Sequence, residues 1–331
     1  MSLFRRVVLS RRTVLTTAAA VLAAARTSPA PAEGLYPTRP VRIVLPFAAG
    51  GIADVTARLI ADQLGPKLGQ RFYVENQPGA GGIAAARTVI SSTPDGTTLA
   101  LLSNATAISV SLFRKLPFDP MKDFAPISSL GTFDFLFAVR AESKFKTLDD
   151  FVKAAKQKPG VLNVGTINTG STQNLAATLF RTAAGVDFAI VPYRGTPEVL
   201  VALLQDSVDL AIDSYSTLKG NLADGKIRAL AATGPLRSKI TPDIPTLRES
   251  DIEANIESWN GLFAPSGTPP AVIGALNTAL QEILADPALK KKMLELGIDA
   301  KPSTPDQLAA RLRTDIEKWR AVIEQAGIER Q

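Results

Sequence analysis

The chain contains no histidine and no cysteine. Without imidazole or thiol, the usual general bases, nucleophile partners and transition-metal ligands are missing. Disulfides, lipid-anchored cysteines and thiolate metal sites are excluded outright. No G-x-S-x-G, S-x-x-K or P-loop pattern appears either. An enzyme built from this chain would have to work with carboxylate, lysine, tyrosine and serine side chains alone. The sequence therefore predicts a protein with no catalytic residues, no metal and no cofactor.

Long apolar runs are also scarce. One run from Thr13 to Ala25 is 13 residues, short of the roughly 20 that cross a bilayer. It follows Arg5, Arg6, Arg11 and Arg12 and precedes Ala30-Pro31-Ala32, an A-x-A pattern where a signal peptidase could cut. Residues 1–32 thus read as an export leader cleaved after Ala32. SRRTVL, from Ser10 to Leu15, is a twin-arginine pattern, with the general secretory route as the alternative. The leader carries five arginines and no acid, so the formal net charge of +6 becomes +1 once it is removed. A basic patch for nucleic acid or anionic membrane is not what the mature chain offers. The expected location is the periplasm.

What is present is an α/β pattern, in a chain of 331 residues with 46% apolar content. VRIVLPF (Val41 to Phe47) reads as a buried strand, followed by a helix with Ile52, Val55, Leu59, Ile60 and Leu64 on one face. Strands are expected at RFYVE (71–75), TTLALLS (97–103), LFAVRA (136–141), VLNVG (161–165), DFAIVPY (187–193), VDLAID (208–213), IRALAAT (227–233) and SWNGLFAP (258–265). Thr147 and Asp150 form a capping box for the helix they precede. Thr196-Pro197, Thr268-Pro269 and Thr304-Pro305 read as N-cap and first-turn pairs. Strand and helix alternate in two runs, roughly 40–131 and 135–235. This predicts two similar α/β lobes with largely parallel sheets, the C-terminal helices packing back onto the first.

GAGGIA (Gly79 to Ala84) imitates a dinucleotide-binding turn, but the next strand ends in Ser103-Asn104, with no acid for a ribose. More informative are four strand-to-helix loops of small residues: FAAGG (47–51), QPGAGG (77–82), SNAT (103–106) and NTGST (168–172). In an open α/β sheet such loops converge at the carboxyl ends of the strands. There, a helix N-terminus offers unpaired N–H groups and partial positive charge to an anion. Each loop is also explicable as a tight turn, and the ligand reading gains from their number. Asp54 reads as support for its helix through pairing with Arg58. Asp213, at a strand end, could serve a ligand ammonium or hydroxyl, or a structural hydrogen bond. Arg194, in Tyr193-Arg194-Gly195, could attract anions or sit as a solvated or interdomain charge. Phe47 could be pocket wall or core.

In this order, YPTRPVRIVLPFAAGGIADVTAR, VENQPGAGGIAA, TPDGTTLALL, LFRKLPFDPMKDFAPIS, NTGSTQNLAATLF, VPYRGTPEVLVALL, LAATGPLRSKITPDIPTLRES and GLFAPSGTPPAVIGALN resemble the Bug family. These are the TctC-like extracytoplasmic solute receptors of tripartite tricarboxylate transporters. The resemblance covers nearly the whole mature chain. It implies a two-lobed periplasmic-binding-protein fold of the Venus flytrap, type II class, with two interlobe crossovers. One lobe would be 33–131 with 255–331, the other 132–254. It further implies a monomer that holds a small carboxylate in the cleft and presents it to membrane permease subunits. A sensory role toward a membrane sensor kinase, without transport, is the alternative. The carboxylate would meet Phe47, Ala48, Ala49, Gly50 and Gly51 on one side and Gly170, Ser171 and Thr172 on the other. Asn104, Ala105 and Thr106 would border the cleft and Asp213 would reach into it. The chain departs from the family at Ala85, Ser109-Val110, Asn174 and Asp206-Ser207, so the identity of the acid does not carry over from a relative.

Overall fold

A computed structural model describes residues 36–254, 256–325 and 327–331. The expected export leader and its expected cleavage point after Ala32 lie outside the described residues. Two mixed sheets organise the chain. The first has six strands and the second five.

The first sheet begins as expected. β1 (Val41–Leu45), an unbroken apolar run, pairs in parallel with β2 (Phe72–Asn76) on one side and β3 (Thr98–Ser103) on the other. Runs of this kind suit a strand covered on both faces. The covering helices are α1 (Ile52–Leu68) and α2 (Ile83–Ile90), and α3 (Asn104–Leu112) follows β3 directly. On α1, Ile52, Ile60 and Leu64 are buried as the spacing predicts, whereas Val55 and Leu59 are half-exposed and Ala53, Thr56, Ala57 and Ala61 fill the seam.

β4 (Phe124–Phe133) was not legible as a strand. Its sequence, FAPISSLGTF, carries proline, two serines and a glycine where an apolar alternation would be sought. The proline is accommodated at a register shift against β10 (Ser258–Pro265). Gly131 lets β11 (Asp299–Ala300) approach: a Cβ there would meet Ile298 Cγ2 at 2.8 Å and the Asp299 carbonyl oxygen at 2.9 Å.

The second sheet holds β5 (Phe135–Arg140), β6 (Asn163–Ile167), β7 (Ala189–Tyr193), β8 (Leu210–Ser214) and β9 (Ile227–Ala232), in the order β7-β6-β8-β5-β9. Its helices are α4 (Leu148–Gln157), α5 (Thr172–Ala183), α6 (Thr196–Leu204) and α7 (Tyr215–Ala223). Thr147 and Asp150 form the expected reciprocal capping box at α4. Phe137, Phe151, Phe180 and Phe188 make a buried aromatic cluster with ring centroids 4.9–6.2 Å apart; two of these pairs are edge-to-face, one stacked and one tilted, arrangements the ring quadrupoles favour over a face-to-face sandwich.

The chain changes sheets twice. It leaves β4 at Phe133 and enters β5 at Phe135, then returns from β9 to β10 (Ser258–Pro265). The expectation of largely parallel sheets is corrected at these strands. β10 runs antiparallel to β3 and β4, and β5 antiparallel to β8 and β9. A strand arriving from the other sheet enters at the cleft end, where β1, β3, β6 and β8 finish, so it must run against them. α8 (Pro270–Ala285), α9 (Pro287–Leu294) and α10 (Pro305–Gln325) complete the first half, α8 and α10 packing on β4. Thr304 caps α10 in a box with Gln307. Thr268 does not cap α8; its hydroxyl donates to the Pro265 carbonyl.

Candidate functional site

The carboxyl ends of β1, β3, β4, β6 and β8 and the starts of β5 and β10 meet in the cleft between the sheets. Phe47, just past β1, stands in the middle and divides it into two cavities.

The first cavity is bounded by the N-terminal turns of three helices. The loop into α1 contributes Ala48 and the cap Gly51, and α1 itself Ile52 and Ala53; α5 contributes Thr172 and Gln173; α6 contributes Thr196 with its cap Gly195. Phe133, Phe135 and Ile167 form apolar walls, with Ser103, Ser258 and Asn260 beside them. No charged side chain lines it among the described residues. The N-caps of α1 and α6 are both glycine and neither receives a side-chain cap. The backbone N–H groups of Ala48, Gly51, Ile52 and Ala53 have no partner among the described residues. Such a turn is an anion acceptor without a cation.

The halves touch closely here. A Cβ built on Gly195 would lie 2.5 Å from the Cβ of Ala48, and one on Gly51 would lie 3.5 Å from Thr196 Oγ1. At the second cavity, Gly170 has φ of +82° and its Cβ would meet Phe113 Cε2 at 2.9 Å. Asn168 Nδ2 donates to the Gly79 carbonyl across the gap at 3.2 Å.

Two buried aspartates brace these turns. Asp54 accepts from Gly50 N at 3.0 Å, from Asn76 Nδ2 at 2.9 Å and from Arg58 through Nε and a terminal nitrogen. Asn76 also donates to the Phe47 carbonyl. Burial pushes the Asp54 carboxyl up, but the bonds from Arg58, Gly50 and Asn76 outweigh it and hold the group below the usual carboxylate range. Asp213 has no such cation. It accepts from the Thr196 hydroxyl at 2.6 Å and from Ser214 N at 2.7 Å, with Gln173 Nε2 at 3.5 Å. Burial dominates, and its carboxyl is pushed up. Thr196 is thus not the N-cap of α6 but its first residue, its hydroxyl drawn to Asp213 instead.

Of the residues expected from sequence, Phe47, Ala48, Gly51 and Thr172 line the first cavity, and Phe47, Ala105, Thr106, Gly170 and Ser171 the second. Ala49 and Gly50 line neither, and the Gly50 amide is already taken by Asp54. Asn104 is turned away to accept a hydrogen bond from Trp319 Nε1 of α10. Asp213 lies behind Thr196 and Gln173 rather than in the wall. Arg194 belongs to a separate outer pocket with Pro78, Asn168 and Tyr193. Sequence reasoning missed Gln173, Thr196, Ser258 and Asn260. For the last two a signal existed: two polar residues at i and i+2 in the otherwise apolar strand SWNGLFAP face one side.

The TctC family, tripartite tricarboxylate transporter family receptors, matches residues 56–328. Protein BugT of Bordetella pertussis is 31% identical over 295 residues, covering 88% of this chain and 90% of BugT. Among solved structures, Rpa4515 of R. palustris with adipate superposes with a TM-score of 0.86 at 32% identity, over 89% of this chain and 99% of that one. MatC from Rhodopseudomonas palustris with bound malate gives 0.82 at 33% identity, over 87% and 100%. With a family match across most of its length and close structural superposition on solved relatives, this chain belongs to the TctC family of tripartite tricarboxylate transporter receptors, as a Bug-type member with the two-lobed periplasmic-binding-protein fold.

Proposed function

We propose that this protein is a non-enzymatic receptor that closes its two lobes on a small organic acid and delivers it to the membrane subunits of a tripartite transporter. The observation that carries the reading is the meeting of three helix N-termini, two of them glycine-capped, around a cavity that no charged side chain lines among the described residues. Free N–H groups and aligned peptide dipoles hold a carboxylate there with no basic residue. The bound malate and adipate of two relatives fit the same chemistry. The lobes are taken as 33–131 with 255–331 and 132–254, hinged at the two crossovers. Binding shifts the population toward the closed form, which is what a membrane partner reads. The leader expected at residues 1–32 and the similarity to the periplasmic binding protein BugD support a place in the periplasm.

Isothermal titration and thermal melting against adipate, benzoate, succinate and malate test the reading. At least one acid should give heat and raise the Tm by ligand linkage. Silence from all four in both measurements would remove its support.

A further inference from the structure

Asn260 lies in the wall of the first cavity and is 1% exposed. Its amide nitrogen donates to Thr56 Oγ1 at 3.2 Å. The Thr56 hydroxyl in turn donates its proton to the Ile52 carbonyl at 2.7 Å. Toward Asn260 the Thr56 Oγ is therefore left only as an acceptor, which orients the Asn260 amide with Nδ2 toward α1. Its Oδ1 is left buried and without a partner among the described residues. An amide oxygen stranded in this way destabilises the fold unless something donates to it, so the wall asks for a donor.

A carboxylate cannot be that donor; a second group on the same ligand must be. The choice lies between a hydroxyl and an ammonium. Among the described residues no charged side chain lines the cavity. The nearby Asp213 has its oxygens occupied by Thr196, Ser214 and Gln173. An ammonium would be desolvated without a counter-charge of its own, whereas a neutral hydroxyl meets a neutral amide oxygen at little cost. Position follows from the same contacts. Thr56 sits one turn into α1 and its hydroxyl bonds Ile52, whose peptide carries the free N–H of Ala53. The stranded oxygen thus belongs to a residue that lines the same cavity as the N–H groups of Ile52 and Ala53 that would take the carboxylate.

We propose that Asn260 is a specificity-determining residue, and that the acid this cleft takes carries a hydroxyl beside its carboxylate, donated to Asn260 Oδ1. The inference rests on the carboxylate reading of the cleft and adds a chemical class to it.

Succinate, malate and aspartate differ only in hydrogen, hydroxyl or ammonium on one carbon, and the hydroxyl of malate stands on C2 from one carboxylate and C3 from the other. Butyrate with its 2-hydroxy and 3-hydroxy derivatives provides the same contrast in monoacids. By isothermal titration of the full chain, malate or one hydroxybutyrate should bind roughly 10- to 100-fold tighter than its parent acid. Aspartate should bind more weakly than malate. Asn260→Leu should erase the hydroxyl preference, and Thr56→Val, which frees the amide to turn, should reduce it. Equal affinity for hydroxylated and parent acids in the unaltered protein would overturn the inference and leave the carboxylate reading intact. Tightest binding of aspartate would overturn it in favour of an amino acid. A hydroxyl preference undiminished in Asn260→Leu would move the acceptor elsewhere. No binding of any acid would remove the underlying reading as well.

Discussion

The two halves of the cleft brace their helix N-termini with one buried aspartate each, and they do so by opposite electrostatics. Asp54 sits inside the first turn of the helix it supports and spends its charge on Arg58, Gly50 and Asn76. Asp213 sits at the end of β8, one strand away from the α6 turn that it holds, and meets hydroxyl, amide and backbone N–H but no cation. The first is an ion pair with one partner open to water, since Arg58 is 50% exposed. The second is a carboxylate kept in place by neutral donors. The difference teaches that a turn can be held open for an anion in two ways: by neutralising the nearby acid, or by enclosing it. Both leave the N–H groups at the cavity free while removing loop mobility beside them.

The largest break in this comparison should come from Asp54→Ala. It strands the Gly50 amide and the Asn76 side chain and releases Arg58, which relaxes into solvent. A loss of about 2–4 kcal/mol in stability is expected, read by urea unfolding, together with loss of acid binding because the Phe47–Gly51 turn is no longer fixed. Full binding in a destabilised Asp54→Ala protein would mean that the turn holds its shape unaided.

Next in size is Gly195→Ala, which acts between the halves rather than within one. Gly195 has φ of −172°, extended backbone that any residue adopts, so the substitution adds no strain inside its own half. Its only conflict is the methyl of Ala48 at 2.5 Å. Closure should be opposed and affinity for acid should fall about 10- to 100-fold, equivalent to roughly 1.4–2.8 kcal/mol, with little change in Tm without ligand. Removing the opposing methyl in the double variant Ala48→Gly, Gly195→Ala should restore most of the affinity. Failure of that rescue would show that the contact is not what limits closure.

How far these features were legible in the sequence tracks the distance to the partner. The Thr147–Asp150 box and the Asp54–Arg58 pair lie within one helical turn, and the sequence gives both partners at sight. The four small-residue loops were legible because a strand, a turn and a helix announce them in order. Thr196 was misread as a cap because its real partner, Asp213, is 17 residues on. Asn104 looked like a cleft residue because nothing local reveals Trp319, which is 215 residues away. β4 escaped because a central strand covered on both sides, and bulged at Pro126, needs no alternation. The sequence thus shows where anion-binding turns can form; which polar groups remain unspent inside them is decided by long-range packing.

The smallest effect, and the sharpest for the comparison, is pH dependence. A carboxylate held below its usual range stabilises the fold at neutral pH, and that stability is lost as pH falls through the folded value. Asp54 is of this kind. A carboxylate pushed up does the reverse: it binds its proton more tightly when folded, so stability drains away as pH rises from the usual aspartate value of about 4 through the raised one. Asp213 is of this kind. Melting curves taken across the acid range should therefore shift in opposite senses for Asp54→Asn and Asp213→Asn. The Asp54 variant should flatten the acid limb, losing stability mainly at neutral pH. The Asp213 variant should change stability by within about 1 kcal/mol at neutral pH, because it gives up an acceptor while shedding a buried charge. Its loss of stability on raising the pH should be smaller than in the unaltered chain. Parallel shifts in the two variants would mean that Asp213 is compensated by a charge its hydrogen bonds do not reveal, and the two halves would then brace their turns alike.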